Sequence, residues 1–414
     1  MNERFIQRRL ELNVKESLGF ISIKQLCNLI EGHPYEKNIF NVFKLDSILD
    51  ESITIKNIDT VFYKIQSIKK NYHYFKIQAE TNQISFKYGN YQVEGIPESN
   101  PLMFRFDEYI DQNGEILSGL EAFALYESKS TYFDSFSMTK YANMLFDNDL
   151  VDLANYNLAY FKKESKKKEG FNKHRSYRLV EHNDEIFVRG ITSGNYNEYG
   201  VDFTFVTSML LFHNYMKQNP GNNYAISFAA LNESKMELIL SSNEIKDAGD
   251  FGKISSAISV STNDLGKGAL SFINIIKLHT KGTGIYLYPE NGELAKKNVS
   301  INHTTGVNKT LEILSCIEDV YNYSNLFLNE LSIVKNIKNP DDLRIRILNK
   351  IEHPNSSFKD IKNDLKNIFS KSINNEITDF AKLLEMCNKA EELDINYDLK
   401  DKLRVVISKV ILNN

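Results

Sequence analysis

Three stretches of this 414-residue chain carry side chains whose types and spacing can do chemistry. In FRFDEYIDQNGEILSGLEAFALYESKS an acid, Asp107 or Asp111, precedes Glu127-x-Lys129. If both flank neighbouring strands, the two carboxylates can hold Mg²⁺. A lysine two residues after the second acid shares its strand face and can orient the attacking water. That chemistry is phosphodiester hydrolysis, with Asp107, Glu127 and Lys129 as catalytic candidates and Mg²⁺ as the cofactor. An exposed strand of alternating charge has the same appearance, and outside the hydrolytic reading no cofactor is expected.

The second stretch is basic. Lys162, Lys163, Lys166, Lys167, Lys168, Lys173, His174, Arg175 and Arg178 stand against two acids, Glu164 and Glu169. Such a run can neutralise several phosphates, and Tyr156, Tyr160, Phe161, Phe171 and Tyr177 can stack on unpaired bases. Arg189 and Lys267 complete the set of nucleic-acid-binding candidates. A solvated lysine-rich linker is the plain alternative. The third stretch, Asp264-Leu265-Gly266-Lys267-Gly268, can aim backbone N–H groups and a lysine at a phosphate. It lacks the GxxxxGK[ST] pattern and runs into a strand, so a tight turn that needs two glycines is the competing explanation.

Other chemistry is disfavoured. The eight histidines form neither HxH nor HxxxH, no GxSxG elbow occurs, and no metal site is expected. Cys27, Cys316 and Cys387 are too few and too far apart for a disulfide framework or a CxxC knuckle. They suit a reducing, cytoplasmic setting. No stretch reaches 18 residues without charge, so no membrane span is expected. A net charge of -4 argues against coating nucleic acid with the whole surface and leaves local patches to decide.

The elements that must position these residues follow from periodicity. Residues 3–31 repeat apolar side chains at helical spacing, as two short helices broken at Gly19. From 52 to 130, β-branched and aromatic alternation predicts an antiparallel sheet, with turns at Gly89-Asn90 and Asn113-Gly114. Residues 135–162 are expected to be helical, capped by Ser137, with Tyr141, Leu145, Leu150, Leu153 and Leu158 on the apolar side. Strands at YRLV and EIFVRGIT, a helix at 201–217, and strands around the Gly-rich turn follow. Beyond 305 the strand texture ends. Helices are expected at 307–337, 340–352 with Asn339 as cap, 357–373, 377–393 and 397–412. The fold class is therefore α+β: N-terminal helices (1–50), a mixed body with a largely antiparallel sheet (51–305), and an all-helical C-terminal bundle (306–414).

Three patches across 131–280 resemble a phage/plasmid-like protein family of unknown function, domain of unknown function 932. They are FSMTKYANML, YRLVEHNDEIFVRGITSGNYNEYGVDF and STNDLGKGALSF. The matching positions are Arg189, Ser193, Tyr196 and Asp202, then Ser261, Asn263, Gly266, Gly268, Ala269 and Leu270. The chain departs from the family at His279-Thr280-Lys281-Gly282, where members carry Cys-Thr-Asn-Gly, and at Asp264, where they carry Glu. The Asp107, Glu127 and Lys129 stretch has, separately, the look of a PD-(D/E)xK nuclease core. The family resemblance implies a mobile-element origin and work near DNA, not a known reaction. Three classes of function stand: an accessory protein binding single-stranded DNA in replication or recombination, a Mg²⁺-dependent nuclease, and a protein-interaction module of a defence or anti-defence system. In the last, the C-terminal helices supply the surface for a partner or for self-association.

Overall fold

The computed structural model describes residues 5–12, 19–88, 102–165, 173–248, 252–266, 268–280, 284–290, 295–315, 339–353, 355–370, 377, 379–395 and 397–412. In chain order they form β1 (Arg8–Arg9), β2 (Phe20–Ser22), α1 (Ile23–Cys27), α2 (Glu36–Phe43), β3 (Ser52–Thr54), α3 (Ile58–Asn71), β4 (His73–Glu80) and β5 (Ile84–Tyr88). Next come β6 (Leu102–Phe106), β7 (Tyr109–Ile110), β8 (Ile116–Leu117), β9 (Leu120–Ala124), α4 (Ser128–Asp134), α5 (Thr139–Asp147), α6 (Val151–Ser165), β10 (His174–His182) and β11 (Glu185–Thr192). Then follow α7 (Gly200–Gln218), β12 (Tyr224–Leu231), β13 (Lys235–Ser242), β14 (Lys246–Asp247), β15 (Lys253–Asn263), β16 (Ala269–His279), β17 (Ile285–Leu287) and β18 (Val299–Asn302). The helices α8 (Val307–Ser315), α9 (Pro340–Glu352), α10 (Lys362–Phe369), α11 (Phe380–Glu392) and α12 (Tyr397–Leu412) close the chain. The class is α+β, with antiparallel sheets and a helical C-terminal region.

The chain divides into two compact units: residues 1–6, 65–199 and 263–268 form the first, and residues 7–64, 200–262 and 269–414 the second. The first is built on an eight-stranded sheet in the order β5-β6-β9-β11-β10-β4-β7-β8. Its β9–β11 pair is parallel and its other pairs are antiparallel. Neighbouring residues of β10 point to opposite faces, as the pleat requires. Tyr177 and Leu179 join a core with Phe104, Phe106, Tyr132 and Phe133, over which α4, α5 and α6 lie through Ala142, Leu145, Ala154 and Leu158. Val180 faces the other side, where Phe5 meets Phe187 edge-on with ring centroids 4.8 Å apart. Each such fully buried side chain contributes roughly 1.5–3 kcal/mol of transfer free energy.

The second unit carries the other large sheet, with β1-β12-β13-β15-β16-β17 as its path. Helix α7 is buried over nearly its whole length, from Val201 to Tyr215. Its polar residues Thr204, Thr207 and Ser208 satisfy their hydroxyls on carbonyls one turn back. Helices α11 and α12 pack against β17. They are fastened by a buried ion network. The Arg404 guanidinium donates to both oxygens of Glu391, to Tyr397 Oη at 3.0 Å and to Glu237 Oε1 at 3.4 Å. It lies 4.3 Å from the Phe228 ring centroid and 5.2 Å from that of Tyr286. Glu237 also accepts from Tyr288 Oη at 2.8 Å and Ser259 Oγ at 3.1 Å. Burial lifts the Glu237 carboxyl to about 7 even though Arg404 pulls it down.

Several expectations are corrected. Arg8 and Arg9 are an edge strand paired with Leu231 and Ala230, not part of a helix, and Phe20–Ser22 pairs with β3. Backbone donors and acceptors offered by β12 outweigh a helical apolar spacing. Residues 13–18, the Gly89-Asn90 turn and YQVEGI lie outside the described residues, as does 316–338 of the helix expected over 307–337. Helix α3 interrupts the predicted sheet, its Ile58, Val61, Phe62, Ile65 and Ile68 all buried. Ser137 is not a cap: it adopts a positive φ of 56° and Met138 stands at the N-cap of α5. The Asn339 cap with Pro340 forms as expected, its side chain accepting from Asp341 N at 2.9 Å.

Removing the guanidinium would leave Glu237 and Glu391 buried and unneutralised. Arg404→Ala is therefore expected to lower unfolding free energy by about 3–5 kcal/mol, read as a shift in the urea midpoint.

Candidate functional site

The hydrolytic trio does not assemble as its spacing suggests. Strand β9 ends at Ala124, Tyr126 turns the chain at φ 55°, and Ser128 Oγ accepts from Leu125 N at 3.0 Å. Glu127 is thereby the N-cap of α4 and Lys129 lies inside that helix, so the shared strand face is lost. The Lys129 amine sits 5.0 Å from the Phe146 ring centroid, a cation–π contact. Asp107 is exposed, with Arg105 Nε at 3.6 Å, and Asp111 caps the Asn113-Gly114 turn by accepting from Asn113 N and Glu115 N. Among the described residues no cluster of three or more His, Cys, Asp or Glu side chains can hold a metal. With Glu127 at the start of α4 and Lys129 inside it, the arrangement of two carboxylates and a lysine on neighbouring strands that the spacing implied does not form.

Two of the basic candidates are buried and committed. The register of β10 on β11 passes from Arg178↔Gly190 to Leu179↔Val188, which makes Arg189 the extra residue of a bulge. The bulge lets both guanidinium groups reach one carboxylate, Glu198. Arg178 Nη1 donates to Glu198 Oε2 at 2.7 Å, its Nη2 to Tyr196 O at 2.7 Å, and Arg189 Nη2 pairs with Glu198 Oε1. Arg178 also lies 5.1 Å from the Tyr196 ring and Arg189 4.8 Å from that of Tyr74. Buried to 4% and 2% exposure, these arginines cannot contact a phosphate backbone. Glu198, which ties them together, was missed; a lone acid in a loop leaves no period or motif.

The Gly-rich turn closes on the same cluster. Tyr196 Oη accepts from Gly266 N at 3.3 Å, Asn263 Oδ1 from Leu265 N at 3.1 Å, and Asp264 Oδ1 from Tyr199 N at 3.3 Å. The N–H groups of Leu265 and Gly266 are thus already used inside the fold, which removes the phosphate cradle. Both glycines are required sterically: Gly266 has φ 86°, and a Cβ at Gly268 would lie 2.5 Å from Asn263 Cβ. The segment around Tyr196 and the 263–266 turn meet through Tyr196 Oη, which bonds with both Asn263 O and Gly266 N. Lys267 lies outside the described residues.

The lysine run divides. Lys166, Lys167 and Lys168 lie outside the described residues. Lys162 turns inward at the end of α6 and donates to Ile84 O, and burial lowers its amine from 10.5 to about 8, with Asp107 opposing the shift. Lys173 N donates to Thr81 Oγ1 at 3.1 Å and Thr81 N donates back to Lys173 O. The 81–84 turn thus holds both ends of the basic segment together. Lys163 and His174 are exposed and Arg175 is half-buried.

Beside them the outer face of α5 and α6 is aromatic. Ala154 and Leu158 point to the core, so residues offset by half a helical turn point to solvent. Leu153, Tyr156, Tyr160 and Lys163 form that outer stripe, with Tyr156 70% and Tyr160 57% exposed. Tyr141 joins it, its hydroxyl accepting from Asn157 Nδ2 at 3.3 Å. Met144 and Leu150 are exposed as well. Tyr141, Leu150 and Leu153, expected on the apolar side, are therefore corrected to the solvent side; a long helical run leaves open which of its two apolar stripes faces inward.

No family model, curated protein or solved structure matches the chain.

The state of Lys162 sets a pH dependence. Its folded pKa lies below the unfolded one, so the unfolded chain binds the proton more tightly and stability rises between about 8 and 10.5. Relative to Lys162→Met, wild type is expected to gain about 2–3 kcal/mol from pH 7 to pH 10, measured by urea unfolding at each pH.

Proposed function

We propose that this protein binds single-stranded nucleic acid across the outer face of α5 and α6. It would act as a DNA-associated accessory factor in replication or recombination of a phage, plasmid or integrated element. The observation that carries this is the stripe of Tyr156, Tyr160 and Lys163, joined by Tyr141, which leads directly into the lysine run. Every base has a π-face, so exposed tyrosines at helical spacing stack successive bases without reading sequence, while lysines at the stripe's end neutralise phosphates. Among the described residues the contact set is Tyr141, Tyr156, Tyr160 and Lys163, with Lys173 and Arg175 as further basic candidates. Arg178, Arg189 and Lys162 are not in it, because their charges are spent inside the fold. The role asks for binding, not turnover.

A second reading has its own observation. Met144, Leu150 and Leu153 are aliphatic and exposed beside the tyrosines, and a contiguous apolar patch of this kind also suits a protein partner or a second copy. The readings diverge in salt. With a fluorescent oligothymidine of about 20 nucleotides, binding is expected to weaken steeply between roughly 50 and 200 mM salt. Tyr156→Ala with Tyr160→Ala should weaken it by about 10-fold or more, at 1–3 kcal/mol per stacked base. Absence of anisotropy change at the lowest salt would sink the first reading. A dimer in light scattering that Leu153→Glu dissolves would favour the second.

A further inference from the structure

The second unit holds an open groove of about 680 Å³ between the end of α9, residues 355–358 and α12. Its chemistry is divided. Val405, Val406 and the buried Phe358 supply apolar wall, Lys350 and Lys402 supply amines, and Asp401 supplies a carboxylate. Among the described residues, no hydrogen bond and no ion pair uses the carboxylate of Asp401 or the amines of Lys350 and Lys402. The neighbouring Arg404 is saturated by Glu391, Glu237 and Tyr397.

We propose that this groove binds a guanine nucleotide, with the base edge on Asp401, the purine against Val405 and Val406, and the phosphate toward Lys350 and Lys402. Three observations support that ligand class over others. A half-buried carboxylate on the groove wall favours a ligand that presents hydrogen-bond donors, because donors paired to an ionised acceptor make the stronger, charge-assisted bonds. Two amines at the rim ask for an anion on the same molecule. Val405, Val406 and Phe358 add apolar wall to the same groove, and its volume of about 680 Å³ falls in the ordinary range of small-molecule sites. Guanine offers N1–H and the 2-amino group side by side, a match for the two carboxylate oxygens, whereas adenine presents no such donor pair. The charges facing Asp401 are Arg404 and Lys402, which favour its carboxylate, and Asp398 and Glu391, which together with burial push its carboxyl up. A ligand that donates to this oxygen pair favours the ionised carboxylate and offsets its desolvation.

The site is on a different unit from the α5–α6 surface, so its test is independent of that reading. GMP, IMP, AMP and inorganic phosphate are titrated calorimetrically into the full chain. GMP is expected to bind at least 10-fold more tightly than AMP, with IMP between them because it lacks the 2-amino group. Asp401→Asn should erase the preference of GMP over AMP, and Lys350→Glu, at the exposed rim, should weaken GMP and IMP alike by about 10-fold. Circular dichroism and the urea midpoint report whether Asp401→Asn folds; if it does not, the Lys350→Glu and IMP results decide. Equal affinity for GMP and AMP, undiminished GMP binding by Lys350→Glu, or no heat with any nucleotide would overturn the assignment. Tyr156→Ala with Tyr160→Ala should leave GMP binding unchanged.

Discussion

A guanidinium or ammonium taken out of water must find its counter-charge inside the protein, and in this chain that requirement shapes the architecture of both units. In the second unit Arg404 is enclosed by three aromatic rings and two carboxylates, and it ties the helix that carries it to the sheet alongside the buried Leu403, Ile407 and Val410 and the Tyr288 N–H to Ser408 Oγ bond. Arg178 and Arg189 do the same work in the first unit, sharing Glu198. Breaking such a pair costs more than the pair contributes, since the surviving charge has nowhere to go. These positions are therefore rigid points of the fold. The cations that remain for recognition are those the fold leaves at its surface.

That sorting explains which parts of the site were readable. Composition and motif place positive charge around 162–178, but nothing in a one-dimensional pattern separates Lys162, drawn in to the Ile84 carbonyl, from Lys163 one residue on, which stays in solvent. The difference is a rotation of 100° about the helix axis. Arg178 and Arg189 were indistinguishable from surface arginines for a related reason: the bulge that aims both at Glu198 arises from strand pairing, a long-range property. By contrast, the Asn113-Gly114 turn, the Asn339-Pro340 helix start and the double-glycine turn at 263–268 were legible, because each depends on backbone preferences of the residues themselves.

The misplacement of Glu127 and Lys129 shows the limit from the other side. A spacing of two carries strand chemistry only if the strand continues. Ser128 bonding back to Leu125 N and a left-handed Tyr126 end β9 early and start α4. Local hydrogen bonding by a single serine thus converts a candidate metal ligand into a helix cap. The α3 helix carries a comparable lesson: its buried set recurs at three and four residues, yet β-branched composition masked the period.

Helices α5 and α6 expose an unusual amount of apolar surface. Tyr141, Met144, Leu150, Leu153, Tyr156 and Tyr160 fall within twenty positions, while α6 already satisfies the core through Ala154 and Leu158. The core would be served equally by polar residues on the outer face, and solubility better served. Scattered exposed apolar groups need no explanation, but a contiguous cluster on two packed helices does. Half of this cluster is tyrosine, whose ring stacks while its hydroxyl stays hydrated, and the stripe runs from Tyr156 and Tyr160 to Lys163, which is followed by Glu164, with the exposed Asp152 at its other end. A purely proteinaceous partner explains the aliphatic members and is indifferent to the lysines. A stacked, phosphate-bearing strand accounts for the tyrosines and the lysines together, which is why the nucleic-acid reading carries more of what the fold displays.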